Sequence, residues 1–429
     1  MSRDSFLPRQ PLSTSVVALA VIVAVGASAS AQQAEPPAKK QDSGWRFTLE
    51  DRPSVRFGEA LRVDLTSLVD FEWRGMDGDA DDDAGFGRKR IGIDGRFLDV
   101  FAFEVVRDLG DDRDPWRDVL VEFRKYRALR VRAGHFKIPF GAERLISIRD
   151  IEFARRSVVT ETLTPERDTG VQLSGRLFGD ALSYMAGAFR HDGSGPPQGE
   201  DESWSGTQTL AARVVVAPFA ASSVKLLRHI EAAFGYTNGD VSEGLNSAGL
   251  RTATGYEAFA PIYVSGTRQR IGLDANLTHG PFSLRGEFLR MSDQRVRQGL
   301  LRDDLPDLVA DGWDVSAAWM AIGDLKNSGT SPRHPLFRGG IGAIQFAGRV
   351  EALGFHSDAA WNDPFRNPRA ANVLANDFRA WTGGVNWFPV RYMKLQFNVI
   401  REHLGDPERR PDPTRGWSTS RVFRVQFSL

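Results

Sequence analysis

The 429-residue sequence contains no cysteine. This absence excludes a disulfide framework, a thiolate nucleophile and any thiolate-held metal. An excess of charge of one sign is also lacking, since 55 Lys and Arg residues balance 55 Asp and Glu residues. The sequence therefore gives no general attraction to nucleic acid. Long apolar runs are missing too: no segment approaches the ~18 consecutive apolar residues of a membrane-spanning helix.

The N-terminus has the order of a secretory signal peptide. Arg3 and Arg9 precede an apolar run at residues 16–25, and small residues end at Ala31. The run is too short to span a bilayer as a helix, so a membrane anchor is the weaker interpretation. We predict a cleaved signal peptide over residues 1–31, a flexible leader over residues 32–44 and one folded domain over residues 45–429.

Apolar and polar residues alternate along many short segments of the mature chain. The clearest cases are residues 61–73, 271–288, 313–319, 393–399 and 423–429. Successive side chains of a strand point to opposite faces, so each segment is predicted to be a strand with one apolar and one polar face. No comparable helical periodicity is present. The pattern predicts an all-β protein built from hairpins.

Two architectures would explain this alternation. In a soluble sandwich the apolar face points inward, whereas in a membrane barrel it meets lipid. The barrel is favoured because the alternating segments reach ~9 to 11 residues, enough to cross a bilayer. Tryptophans at predicted strand ends also suit interfacial girdles; these are Trp73, Trp313, Trp381 and Trp387.

The predicted connections differ in length. Tight turns are expected at residues 95–99 and 279–281. Longer polar loops are expected at residues 75–87, 192–207, 238–267, 324–339 and 356–380. Short turns at one end of a barrel and long loops at the other are typical of outer-membrane proteins.

Three motifs lie close together in the chain. They are G-x-F-K-x-P-F-G-x-E at residues 134–143, E-x-x-R-x-S at 152–157 and R-D-x-G-V-Q-L at 167–173. Together with residues 312–324, 342–351 and 383–402, they resemble the phosphate-selective porin O and P family. The resemblance implies a transmembrane antiparallel β-barrel of 16 strands, with short periplasmic turns and long external loops. It also implies a homotrimer in the outer membrane of a Gram-negative bacterium, in contact with lipid and lipopolysaccharide.

If the apolar face meets lipid, the polar residues between line the lumen. Arginine offers a planar fork of donors suited to phosphate or carboxylate, and a column of such sites could pass an anion along a pore. The predicted pore-lining and anion-binding residues are Arg88, Arg90, Arg124, Arg130, Arg132, Lys137, Arg155, Arg156, Arg285, Arg349 and Lys394.

Acidic residues share the predicted inner face and provide an alternative. Arginine often pairs with a carboxylate across neighbouring strands, which would leave only a mild anion preference. The acidic candidates are Asp94, Glu122, Glu287 and Glu351. The sequence leaves open a dedicated anion ladder and a general, weakly selective pore.

Residues 137–168 lack sustained alternation and are long for a connection. We interpret this segment as a loop that folds into the barrel and narrows it, with Arg155 and Arg156 at the constriction. The alternative is a surface loop with solvated charges.

One acidic loop is a weak metal candidate. Asp77, Asp79, Asp81 and Asp83 occupy alternate positions, as ligands of a calcium loop do. The loop departs from the EF-hand pattern, since Asp82 replaces its glycine and Arg88 its final glutamate. A solvated external loop is the preferred interpretation. We predict no metal and no cofactor.

Catalytic motifs are missing from the sequence. The seven histidines are scattered, and H-E-x-x-H, G-x-S-x-G and the phosphate-binding P-loop do not occur. A passive outer-membrane porin for small hydrophilic solutes, with phosphate or other anions preferred, is the predicted function. An outer-membrane barrel hydrolase and a periplasmic all-β binding protein remain as alternatives.

Overall fold

The computed structural model describes residues 44–49, 52–77, 83–111, 115–193, 208–323, 332–357, 364–412 and 414–429. The predicted signal peptide and all of the predicted leader except Gly44 lie outside the described residues. Those two predictions therefore stay predictions.

The described chain is almost entirely β-structure. In chain order the strands are β1 (Trp45–Thr48), β2 (Ser54–Phe57), β3 (Leu61–Met76), β4 (Asp83–Phe97), β5 (Phe101–Asp108), β6 (Trp116–Phe123), β7 (Arg130–Lys137), β8 (Arg167–Leu177), β9 (Leu182–Phe189), β10 (Thr209–Val216), β11 (Ile230–Gly244), β12 (Leu250–Arg251), β13 (Glu257–Phe259), β14 (Val264–His279), β15 (Phe282–Arg295), β16 (Leu305–Ile322), β17 (Ala343–Ser357), β18 (Asn376–Val390), β19 (Met393–Leu404) and β20 (Ser418–Ser428).

Sixteen of these strands form a closed antiparallel barrel. They are β3 to β11 and β14 to β20, each paired with the wall strands before and after it. The wall closes where β20 pairs with β3, from Ser420 opposite Met76 to Ser428 opposite Leu68. The short strands β1 and β2 form a hairpin on the first residues of β3. The predicted 16-stranded barrel is confirmed.

The apolar face of the wall points outward. On β19, Phe397 and Val399 are exposed, whereas Lys394, Gln396 and Asn398 are buried. The same division recurs around the wall. An apolar exterior and a polar interior are what a lipid-facing barrel requires, and they exclude a sandwich with an apolar core between its sheets.

Aromatic side chains mark one level of the outer wall. Phe282, Trp319 and Phe346 stack in sequence on β15, β16 and β17, with ring centroids 6.4 and 5.9 Å apart. Trp313 and Trp381 also face outward, but they stand in the middle of strands of 18 and 15 residues rather than at strand ends. Several strands thus exceed the ~9 to 11 residues that a bilayer requires.

Connections at the two ends of the barrel differ in length, with two exceptions. β14 and β15 are joined by residues 280–281 alone. β16 ends at Ile322 and β17 begins at Ala343 at this same end. β10 and β11 are separated by residues 217–229 there as well. The grouping of residues 324–339 with the long loops at the other end is therefore wrong, because strand order rather than loop length sets the end.

Helices are few and short. α1 (Ala142–Leu145) and α2 (Val158–Leu163) lie between β7 and β8, and 3₁₀ turns occur at Phe178–Asp180, Leu227–His229, Leu336–Arg338 and Pro407–Arg409. Among the described residues, no helix has the length and apolar character needed to cross a membrane.

Residues 138–166, here called the inner loop, fold into the barrel. Their apolar side chains join those of the β12–β13 hairpin and the inner face of β15 to β20 in one buried cluster. Its members include Phe140, Val159, Leu163, Leu250, Phe259, Leu289, Leu308, Phe355 and Phe378. This core lies inside the barrel against β15 to β20, and the remaining space is lined mainly by β3 to β8. The predicted folding of this segment into the barrel is confirmed.

Candidate functional site

A glycine near the start of the inner loop cannot be replaced by another residue without strain. Gly141 has φ 72° and ψ 130°, in a region that only glycine adopts readily. A Cβ atom there would lie 2.7 Å from Cγ2 of Thr164. The next residue, Ala142, donates its backbone N–H to Oε1 of Glu287 at 2.5 Å. The G-x-E end of the first motif therefore turns the chain onto the opposite wall.

Carboxylates of the wall hold the start of α2. Ser157 caps this helix, since its Oγ accepts from the N–H of Thr160 at 3.0 Å. The same hydroxyl donates to Oδ2 of Asp314 at 3.0 Å. The N–H of Val158 donates to Oε2 of Glu351 at 2.5 Å. These contacts fix the helix against β16 and β17.

Glu143 forms the buried centre of this attachment. Its Oε1 lies 3.5 Å from Arg285 and 3.6 Å from Arg349, and its Oε2 accepts from the N–H of Ser157 at 2.8 Å. Burial alone would raise the pKa of Glu143, but Arg349 and Arg285 hold it below its usual value. The carboxylate is therefore charged and pulls the inner loop to the wall.

Three of the predicted pore-lining cations contact the inner loop and help to hold it to the wall. Arg349 donates to the carbonyl oxygens of Arg155 and Arg156 at 3.2 and 3.3 Å. Lys394 donates from Nζ to the carbonyl of Ile151 at 2.9 Å. Arg285, Arg349 and Lys394 point inward as predicted, but each is less than 10% exposed. The inner loop covers all three, and Arg349 also lines the second cavity described below. Their role in lining a pore stays a prediction.

A cavity of about 770 Å³ lies between β3 to β8 and the inner loop, and we call it the main passage. Its lining has ten basic and seven acidic residues. The basic ones are Arg52, Arg88, Arg90, Arg117, Arg132, Lys137, Arg144, Arg149, Arg156 and Arg167; the acidic ones are Asp94, Glu104, Asp108, Asp111, Asp118, Glu161 and Glu166. The structure therefore brings together five of the predicted residues, namely Arg88, Arg90, Arg132, Lys137 and Arg156.

Three arginines of the passage face carboxylates on the next strand. Arg88 lies opposite Asp70, Arg90 opposite Asp108 and Arg132 opposite Glu122 in the sheet register. The shortest N–O distances in these pairs are 2.8, 2.8 and 2.6 Å. The basic column is thus largely ion-paired, as the alternative interpretation of the sequence anticipated.

Five basic residues of the passage were not among the predicted site residues, namely Arg52, Arg117, Arg144, Arg149 and Arg167. Arg167 lies 2.8 Å from Asp118, and Arg117 lies 2.6 Å from Asp111. Arg167 opens the third motif, so its position in the alternating strand β8 was a usable signal. Arg117 has no such signal, because the short strand β6 begins only one residue earlier.

Arg155 and Arg156 point to different places. Arg156 is buried and donates to the carbonyls of Glu143 and Ile146, the latter at 2.8 Å. Burial and the neighbouring Arg144 lower the pKa of Arg156 to about 10, which keeps it charged at neutral pH. Arg155 is half-buried, and its guanidinium makes no hydrogen bond or ion pair with any residue that the structure describes.

Arg124 and Arg130 stand apart from the passage. Arg124 follows the end of β6, and Arg130 begins β7, both beside the connection of these strands. Arg130 lies 3.9 Å from Glu122 and remains 39% exposed. Neither residue lines the main cavity.

The acidic loop is only partly described, since Asp79 and Asp81 fall outside the described residues. Asp77 accepts from Arg421 at 2.8 Å, and Asp83 lies 3.7 Å from Arg74. Across the described ranges no group of three residues is placed to hold a metal ion.

A second cavity of about 420 Å³ opens between residues 153–162 of the inner loop and residues 249–261. Arg88, Arg156 and Glu161 line both cavities, so the two spaces meet at these side chains. We call this second space the side cavity and the three shared residues the neck.

Comparison with known proteins agrees with this architecture. The model of the phosphate-selective porin O and P family matches residues 62–429. The chain belongs to this family. No curated protein matches the sequence significantly.

Solved structures of outer-membrane proteins share the fold. A loop L8 deletion mutant of OmpT, an outer membrane protein of Vibrio cholerae, is similar with a TM-score of 0.54 and 11% identity, covering 86% of this chain and 100% of that one. The outer membrane channel DcaP of Acinetobacter baumannii is similar with a TM-score of 0.51 and 11% identity, covering 86% of this chain and 98% of that one. Salmonella typhi OmpF, in complex with daunomycin, has a TM-score of 0.52 and 10% identity, covering 86% of this chain and 98% of that one. Family and fold together support a passive porin of the outer membrane.

Proposed function

We propose that this porin lets small hydrophilic solutes diffuse down their gradients with a mild preference for anions, phosphate among them. The observation that carries the proposal is the lining of the main passage, where ten basic residues stand against seven acidic ones. Asp70 and Glu122, which pair with Arg88 and Arg132 from behind the lining, offset two of these charges. The small positive excess that remains attracts anions into the passage. The description of the family supports phosphate as one of them.

The preference is mild because the central arginines have partners. Arg88, Arg90 and Arg132 each lie within 2.8 Å of a carboxylate oxygen. A paired arginine keeps donors for a passing anion, but the carboxylate beside it repels the same ion. Phosphate selectivity through a dedicated ladder is the second candidate, and the family description is the observation that favours it.

The proposal includes no catalytic step. A solute that crosses a water-filled passage is not changed chemically, and charges along the wall only alter its local concentration. The similar channel and porin structures support this view. The hydrolase alternative would require a nucleophile and a base within hydrogen-bond reach of each other on the outer wall.

Assembly and location complete the proposal. A similar structure is OmpT of Vibrio cholerae in a trimer form, which supports a homotrimer here. We place the barrel in the outer membrane of a Gram-negative bacterium, surrounded by lipid and lipopolysaccharide, after removal of residues 1–31 as a signal peptide.

The test is the reversal potential of the purified protein in a planar bilayer across a KCl gradient, followed by addition of phosphate. A modest anion-selective potential without block at low phosphate supports the proposal. Block of the chloride current at low phosphate would establish the dedicated ladder instead. A cation-selective potential, or no channels from protein with heat-modifiable gel migration, would overturn both.

A further inference from the structure

The side cavity is built differently from the main passage. Its floor is residues 153–158 of the inner loop, its roof is residues 249–261 and its back is the wall of β17 to β19. The roof is fixed, since the N–H of Ala253 donates to Oε1 of Glu402 at 3.0 Å. The cavity is thus a recess beside the main passage and meets it at the neck.

Two polar groups in this recess have no hydrogen-bonding partner among the described residues. Thr382 on β18 is 4% exposed, and its Oγ1 accepts and donates no hydrogen bond to any described residue. The guanidinium of Arg155 is likewise unbonded there. A buried hydroxyl without a partner costs free energy, so such a group is usually satisfied by water or by a ligand.

The acidic groups of the side cavity are already neutralised or bonded. Glu351 faces Arg349 and the N–H of Val158. Glu402 accepts from Ala253 and from Oγ of Ser420. At the neck, Glu161 lies 3.8 Å from Arg156 and 3.7 Å from Arg144. Glu257 lies 3.4 Å from Arg251. Arg155 is therefore the lining arginine that has no ion pair with a described residue.

Apolar side chains form the rest of the surface. They are Phe153, Val158, Ala253, Pro261 and Ile400. A cavity of about 420 Å³ is far larger than an inorganic anion needs and lies within the usual range for small organic ligands. Apolar walls with a few convergent polar groups favour a ligand that has an apolar body and one charged end.

We infer that the side cavity binds a small organic carboxylate before or during its passage. The carboxylate pairs with Arg155, the hydroxyl of Thr382 donates to one of its oxygens, and its apolar body contacts Val158 and Ile400. The inference rests on the proposed function, since it names one class of solute for the same pore. The inference differs from the proposed function in two ways: the ligand binds outside the main passage, and it must have an apolar body.

Isothermal titration calorimetry of the purified barrel in detergent tests this inference without relying on conduction. Sodium benzoate, sodium acetate and sodium phosphate are the three probes. Benzoate is expected to bind about tenfold or more tightly than acetate, because its ring removes apolar surface from water. Equal affinities for benzoate and acetate would overturn the inference.

Two variants locate the site. Arg155→Gln is expected to weaken benzoate binding about tenfold, and Thr382→Val, which keeps the shape of the side chain, about threefold to fivefold. Arg132→Gln, a matched loss of one arginine in the main passage, is expected to leave benzoate affinity unchanged. Heat-modifiable gel migration verifies that each variant is folded.

The outcomes separate this inference from the proposed function. Channels in a planar bilayer without benzoate binding would overturn the side-cavity site and leave the porin. Benzoate binding that Arg132→Gln weakens as much as Arg155→Gln does would place the site in the main passage, which also overturns the inference. Benzoate binding without channels would overturn the porin alone.

Discussion

Glu351 and Val158 lie 193 positions apart in the sequence and are joined by a hydrogen bond of 2.5 Å, from the N–H of Val158 to Oε2 of Glu351. The same carboxylate lies 3.2 Å from Arg349. A wall residue of β17 thus holds the first turn of a helix that lies inside the barrel. The position of the inner loop, and hence the width of the passage, depends on contacts of this kind.

Glu351→Ala should loosen the inner loop. Removal of the Glu351 carboxylate leaves the buried charge of Arg349 with fewer negative partners. Breaking such a buried ion pair lowers the free energy of unfolding by about 3–5 kcal/mol. We expect a lower temperature for the heat-induced shift in gel migration and larger fluctuations of single-channel current. Glu408→Ala, which removes a carboxylate from an exposed ion pair with Arg366, is the control and should change neither. Wild-type current noise in Glu351→Ala would contradict the role given to this contact.

Asp108→Asn should increase anion selectivity. Asp108 lies 2.8 Å from Arg90 and 3.7 Å from Arg117, so its neutralisation leaves both arginines more available. Two unit charges about 4 Å apart interact with about 1 kcal/mol in water. An energy change of this size corresponds to a roughly fivefold change in the ratio of anion to cation permeability. The reversal potential in a KCl gradient measures the change. Arg90→Gln should shift the potential in the opposite direction, and a shift of the same sign in both variants would refute the prediction.

Anion selectivity should fall as salt rises. The excess charge of the passage acts through water, and the screening length decreases from about 30 Å at 0.01 M to about 3 Å at 1 M. Reversal potentials taken at a fixed KCl ratio, but at these two absolute concentrations, should therefore differ. A selectivity that stays constant would instead indicate direct binding of the anion at a desolvated site.

Gly141→Ala should destabilise the folded barrel. The residue must keep φ 72°, and the added Cβ would press on the methyl group of Thr164. The strain is of the order of 1–3 kcal/mol. Gly416→Ala is a suitable control, because a Cβ there has open space and no positive φ is required. Equal unfolding temperatures for the two variants would show that the turn relaxes without cost.

The sequence predicts the barrel well because a strand's alternation reports directly on its two faces. Phe397 and Gln396 differ in hydropathy, and the structure puts one toward lipid and the other inside. The inner loop was also predictable, since residues 137–168 break the alternation over a long stretch. Local pattern was sufficient for both features.

Contacts between residues far apart in the chain could not be predicted from the sequence. Periodicity shows that Arg349 points inward, but not that carbonyls of Arg155 and Arg156, nearly 200 positions earlier, would cover it. The apolar core within the lumen is visible in the sequence only as a few apolar residues at inward-facing positions. Leu289, Leu353 and Phe355 are apolar on the inner face, where a water-filled pore would have polar residues. Such breaks in alternation signal contact with an inserted loop.

The attachment of the inner loop has a consequence for assembly. Its partners Glu287, Glu351 and Lys394 belong to β15, β17 and β19, and Arg149 of the loop reaches the carbonyl of Leu429 at the end of the chain. All of these partners follow the inner loop in the chain. The loop can therefore make the full set of contacts only when β15 to β20 are paired in the wall. Closure of the barrel wall and narrowing of the passage therefore depend on the same C-terminal strands.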